Sequence, residues 1–162
     1  MPTRLSHRSC IILIAENDGM IGLDLQDTFE SVGYAVAGPF PSCGDAVVWL
    51  HRHTPDIAVL DIHLRDGECT ELARELTRLK VPFAVYSGEL DRDKLPAFTD
   101  ALWIEKPAPQ DTLLEAVAGL RKGPEQWNGG CYSSDGVDAP RRHRRAKVVV
   151  LRATEGGVRD RG

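Results

Sequence analysis

Residues 56–61 read Asp56-Ile57-Ala58-Val59-Leu60-Asp61, four consecutive apolar side chains closed by a carboxylate. A strand with one wet face alternates apolar and polar residues, so an unbroken run of this length predicts a strand covered on both faces, as parallel strands are in α/β proteins. Three other runs share the pattern. Ile11 to Ala15 leads into Glu16-Asn17-Asp18, Pro82 to Tyr86 into Ser87-Gly88, and Ala101 to Ile104 into Glu105-Lys106-Pro107. If the runs are parallel strands of one sheet, those polar residues collect at one edge, where open α/β sheets place their ligand sites. Acids, a hydroxyl and a lysine gathered there suit transfer of a phosphoryl group onto a carboxylate beside a divalent cation.

Helical patterns separate the runs. Met20, Ile21, Leu25, Phe29 and Val32 recur at helical spacing, with Gly33 placed to close the helix. Tyr34 to Ala37 reads as a short strand stopped by Gly38-Pro39, and Ser42 can cap a helix carrying Ala46, Val47 and Leu50. Asp66-Gly67 marks a turn, and Leu72, Ala73, Leu76 and Leu79 mark another helix. Leu90 to Phe98, interrupted by Pro96, predicts a weak helix, and Asp111 is placed to cap a last one through Leu113, Leu114, Val117 and Leu120. Five strands alternating with helical segments predict an α/β, doubly wound five-stranded parallel sheet with helices on both faces.

At 162 residues the chain has room for one domain and a remainder. The reading divides it into an N-terminal extension over 1–9, a folded domain over 10–122 and a disordered basic tail over 123–162. Residues 1–122 hold 12 Lys and Arg against 19 Asp and Glu, a net −7; residues 123–162 hold 8 against 5, a net +3. The acidic part repels nucleic acid, and the cluster Arg141-Arg142-His143-Arg144-Arg145 lacks the interleaved aromatics of a nucleic-acid surface. No run approaches the roughly 20 apolar residues of a membrane span, and residues 1–8 do not resemble a signal peptide, so a cytoplasmic protein is expected. Cys10, Cys43, Cys69 and Cys131 are scattered, which suggests reduced thiols rather than a zinc site or disulfide framework. His51-Arg52-His53 at a helix end and Asp24 and Asp27 on a helix face read as solvated surface.

From Cys10 to Lys122 the chain resembles the receiver domain of two-component response regulators. The acids after strand one (Glu16-Asn17-Asp18), Asp61 after strand three with Asp66-Gly67 following, Ser87-Gly88 after strand four and Lys106-Pro107 after strand five carry the resemblance. It implies a flavodoxin-like sheet of order 2-1-3-4-5, and Asp61 as the acceptor of a phosphoryl group from a sensor histidine kinase or phosphotransfer protein. It further implies Mg²⁺ held by Glu16, Asn17, Asp61 and the backbone carbonyl of His63, with Lys106 and Ser87 contacting the phosphoryl oxygens. Trp103 stands where receivers often carry an aromatic that follows the hydroxyl, so Ser87 and Trp103 form a candidate switch pair; plain packing is the other reading of Trp103. The chain would then be a phosphorylated signalling module acting on a downstream protein, not an enzyme toward other substrates. The Pro82 to Gly88 segment also looks like stand-alone receivers with a Phe-Ala-Thr-Gly-type signature.

One position departs from the pattern. Receivers usually carry two successive acids after strand one, and the second is Asn17 here, which loses a negative charge; Asp18 could replace it only if the strand ended early. A weaker metal site is expected, and a phosphorylation-independent docking protein is the alternative. Nucleic-acid binding through the basic tail is a third reading. Lys106-Pro107 is a candidate cis bond.

Overall fold

The computed structural model describes residues 9–88, 96–98, 101–122 and 148–150. The elements are β1 (Ile11–Ala15), α1 (Gly19–Glu30), β2 (Ala35–Phe40), α2 (Cys43–Leu50), β3 (Ile57–Leu60), β4 (His63–Leu64), β5 (Gly67–Glu68), α3 (Thr70–Arg78), β6 (Phe83–Ser87), β7 (Leu102–Glu105), α4 (Gln110–Lys122) and β8 (Val148–Val150). The main sheet runs β2-β1-β3-β6-β7-β8, and β4 with β5 forms a separate small hairpin. From β2 to β7 every pairing is parallel, so the five expected strands appear in the order 2-1-3-4-5, the fourth and fifth being β6 and β7. The fold is α/β and doubly wound.

Side chains alternate across the strands into two cores, which explains why the runs are apolar without a break. Leu13, Ala58, Leu60, Val85 and Trp103 face α2 and α3. Ile12, Ile57, Val59, Tyr86 and Ile104 join Leu25 and Phe29 of α1 and Leu113 and Val117 of α4 on the other side. Among the described residues, no helix is long and apolar enough to cross a membrane.

Several differences from the sequence reading have physical reasons. β2 does not stop at Gly38-Pro39 but continues to Phe40 through an irregularity: Leu13 pairs with Ala37, while Ala15 pairs with Phe40. One extra residue in β2 is accommodated there as a bulge. Gly38 takes φ +104°, and a Cβ at that position would lie 2.5 Å from the Ile14 carbonyl oxygen. The extension matters for the site, because Phe40 O accepts the Glu16 N–H at 2.9 Å. Asp111 lies in the first turn of α4 rather than at its cap. Of the weak helix expected over Leu90 to Phe98, the described residues Pro96–Phe98 form a single 3-10 turn. Within the segment read as a disordered tail, Val148–Val150 instead pairs antiparallel with β7, adding a sixth strand at its edge. The cluster Arg141 to Arg145 and the other residues read as tail lie outside the described residues, as do residues 1–8.

The loop after β3 is tied to α2 by a carboxylate. Asp66 accepts the Cys43 and Gly44 N–H groups at 2.8 and 2.9 Å, adding to the Ser42 cap of that helix. Those two bonds, Gly44 first and then Cys43, hold the Asp66 carboxyl below its ordinary value. Gly67 then closes the β4–β5 turn with φ +111°.

Candidate functional site

Three of the expected side chains meet at the carboxyl edge of the sheet. Glu16 follows β1, Asp61 follows β3 and Lys106 follows β7. The Lys106 ammonium donates to Glu16 Oε2 at 2.6 Å and to Asp61 Oδ2 at 2.7 Å. The side chains are well covered, at 16% exposed for Lys106, 12% for Asp61 and 1% for Glu16. Burial works against the charge on Lys106, but hydrogen bonds to Asp61 and Glu16 and attraction to both outweigh it, leaving the ammonium pKa above its ordinary value.

Backbone contacts set these groups in place. Asp61 N–H bonds Ala15 O at 2.8 Å, joining the ends of β1 and β3, and Lys106 N–H bonds Ser87 O at 3.0 Å, joining β6 and β7. Asp61 Oδ1 accepts the His63 N–H at 3.3 Å. Glu16 Oε1 accepts the Asp18 N–H at 2.9 Å, so each Glu16 oxygen has a donor. Lys106-Pro107 is cis.

The other expected residues divide. Ser87 is buried at the end of β6, at the same sheet edge. His63 lies in β4 opposite Glu68, with its side chain exposed. Asn17 is exposed beside Glu16. Asp18 does not replace it: its Oδ1 caps α1, accepting Met20 N–H at 2.9 Å and Ile21 N–H at 3.1 Å. Trp103 is 1% exposed on the α2–α3 side, where its indole N–H donates to Phe98 O at 3.2 Å. His53, whose imidazole stacks on Trp49 at 4.6 Å, belongs to surface packing.

A participant that the sequence did not disclose is Tyr86. Its ring centroid lies 5.2 Å from the Lys106 ammonium, and its hydroxyl accepts the Ala108 N–H at 3.3 Å. A strand buried on both faces gives no periodicity from which that role could be read.

Comparison with known proteins bears on the fold. No family model matches the chain. It is 26% identical over 110 residues to the transcriptional regulatory protein PdtaR of Mycobacterium tuberculosis, covering 65% of this chain and 54% of that protein. The chain thus spans about half the length of this curated relative. A response regulator receiver protein from Sinorhizobium medicae shares the fold, with TM-score 0.64 and 23% identity over 72% of this chain and 97% of that one. A CheY-like receiver domain from Methanospirillum hungatei has TM-score 0.58 and 28% identity, covering 67% of this chain and 90% of its own.

The chain has the fold of response-regulator receiver domains and resembles them in sequence.

The donor set at this sheet edge can be weighed against a hard divalent cation. Mg²⁺ takes oxygen ligands, keeps several waters and needs one or two carboxylates. Glu16 and Asp61 supply two, with their engaged oxygens gathered on one ammonium, and Asn17 adds an amide oxygen in the adjacent loop. Among the described residues, no group of three or more His, Cys, Asp or Glu is placed to hold a metal. The residues fit Mg²⁺ as a two-carboxylate site, lean by one charge.

Proposed function

We propose that this receiver accepts a phosphoryl group on Asp61 from the phosphohistidine of a sensor histidine kinase or phosphotransfer protein, and signals through protein contacts. The observation that carries the reading is the Lys106 ammonium shared between Asp61 and Glu16 at the sheet edge. A carboxylate approaches a phosphoryl group against mutual repulsion, so the reaction needs positive charge and fixed geometry. An Asp61 oxygen forms the new O–P bond while the P–N bond to the donor imidazole breaks; its electron pair stays on the imidazole nitrogen, which takes up a proton. Lys106 exchanges a carboxylate oxygen for a phosphoryl oxygen, and the Ser87 hydroxyl donates to another. Glu16, Asp61, Asn17 and the His63 carbonyl would hold Mg²⁺, which would supply charge neutralisation for the transfer.

Trp103 bridges the site strand to the 3-10 turn at Pro96–Phe98, which gives a movement of Ser87 a route into the segment following β6. Ser87 and Trp103 are the switch pair of this proposal. Met20 and Leu23, 84% and 59% exposed at the start of α1, offer the kinase an apolar contact beside Glu16. Catalysis is confined to the protein's own phosphorylation and dephosphorylation, the setting is cytoplasmic, and the resemblance of the Pro82 to Gly88 segment to stand-alone receivers supports that form of regulator. The downstream protein is recognised by chemistry outside this site.

A second reading is favoured by one observation. Asn17 stands where an acid is usual, and Asp18 is committed to capping α1, which suits a phosphorylation-independent docking protein. Incubating the full chain with acetyl phosphate and MgCl₂, followed by intact mass measurement, separates the two. One added phosphate, abolished by EDTA and by Asp61→Asn, supports phosphotransfer; an unmodified mass supports docking alone.

A further inference from the structure

Tyr86 sits at the meeting of two contacts that the phosphoryl-transfer reading does not use. Its side chain is 7% exposed, and its ring lies 5.2 Å from the Lys106 ammonium, within the range at which a cation is attracted to an aromatic face. The Tyr86 hydroxyl accepts the N–H of Ala108, two residues beyond Lys106, at 3.3 Å. One rigid side chain therefore touches both the tip of Lys106 and the turn that carries it. The remaining partners of the ammonium are Glu16 Oε2 and Asp61 Oδ2.

These partners do not all survive the proposed reaction. Once Asp61 carries a phosphoryl group, its carboxylate is an acyl phosphate and its own negative charge is gone. The ammonium must then leave Asp61 Oδ2 for a phosphoryl oxygen without swinging into solvent. The Tyr86 ring is a neutral partner whose attraction is the same before and after that exchange, and it cannot compete as a base.

We infer that Tyr86 is a positioning residue for phosphoryl transfer: its ring retains the Lys106 ammonium at the site while the carboxylate partner changes, and its hydroxyl steadies the Lys106–Ala108 turn. This rests on the proposal that Asp61 accepts the phosphoryl group. It separates the roles of ring and hydroxyl, which ordinary core packing does not.

The test compares full-length wild type, Tyr86→Phe and Tyr86→Leu. Two readouts are used: the rate of labelling by acetyl phosphate with Mg²⁺, and the ¹H–¹⁵N signal of the Lys106 ammonium without any donor, with thermal midpoints as the control for folding. Tyr86→Phe is expected to label within about twofold of wild type and to keep the ammonium signal; Tyr86→Leu is expected to label about fivefold more slowly and to lose the signal to faster exchange with water. Should Leu unfold the domain, Tyr86→Met, which also lacks the ring, carries the same expectation. Wild-type labelling rates and a retained ammonium signal in the folded ringless variant would overturn the inference, as would equal losses in the Phe and ringless variants. If wild type itself is not labelled, the phosphotransfer reading fails, and the ammonium signal still decides whether the ring holds Lys106.

Discussion

Replacing Lys106 with Met would leave two carboxylates facing each other without their shared cation. Glu16 Oε2 and Asp61 Oδ2 lie 2.6 and 2.7 Å from one nitrogen, so they stand no more than about 5.3 Å apart. At that separation and an effective dielectric of about 20, two unit charges repel by about 3 kcal/mol. Glu16 is 1% exposed and cannot turn its charge outward into water. We expect Lys106→Met to lose about 3 kcal/mol at pH 8, a fall in thermal midpoint of about 6–12 °C for a chain of this size. The sign of the pH response follows. Taking up a proton between the two carboxylates relieves the repulsion only in the folded variant, so the variant regains stability as the pH falls from 8 toward 5.5. Millimolar MgCl₂ should likewise raise the variant's midpoint more than that of wild type. Calorimetry at both pH values with and without MgCl₂ measures all of this. A variant melting with wild type at pH 8, or showing the same response to acid and Mg²⁺, would refute the shared-cation geometry.

Three further outcomes follow from the structure. Asn17→Asp should tighten Mg²⁺ binding by about tenfold, equivalent to about 1.4 kcal/mol, measured by titration calorimetry; unchanged affinity would remove residue 17 from the ligand set. Asp66→Asn should flatten the acid limb of the stability curve: the lowered folded pKa of Asp66 means that its contribution is present above its ordinary value of 3.8 and is lost as pH falls through the folded value, so wild type and variant should converge in strong acid. Gly38→Ala should cost about 2–4 kcal/mol in chemical denaturation, because φ is +104° and the new Cβ would meet the Ile14 carbonyl at 2.5 Å; a wild-type denaturation midpoint would contradict the bulge.

Much of the domain was legible because buried parallel strands announce themselves. The run Ile57 to Leu60 could be placed in the sheet's interior from composition alone, and Asp61 at its end marked the site edge. Glu16 and Lys106 followed by the same logic, since each terminates a comparable run. What stayed hidden depended on contacts without a local pattern. Gly38-Pro39 reads as a stop, yet the bulge carries β2 to Phe40, whose carbonyl anchors Glu16. Tyr86 looked like one more strand residue, because its link to Lys106 crosses from β6 to the loop after β7. Asp18 resembled a spare ligand, but a carboxylate just before a helix is also a natural cap, and here the cap took its Oδ1. The pairing of Val148–Val150 with β7 joins residues far apart in sequence, and the isolated apolar run did not name its partner strand.

The central claim is chemical and can be read at one residue. Treating the full chain with acetyl phosphate and MgCl₂, reducing the product with borohydride and mapping peptides by mass spectrometry converts an aspartyl phosphate to homoserine at its own position. Homoserine is expected at position 61, absent when MgCl₂ is replaced by EDTA. Homoserine at another aspartate, or none at all in folded protein with Mg²⁺ present, would contradict it.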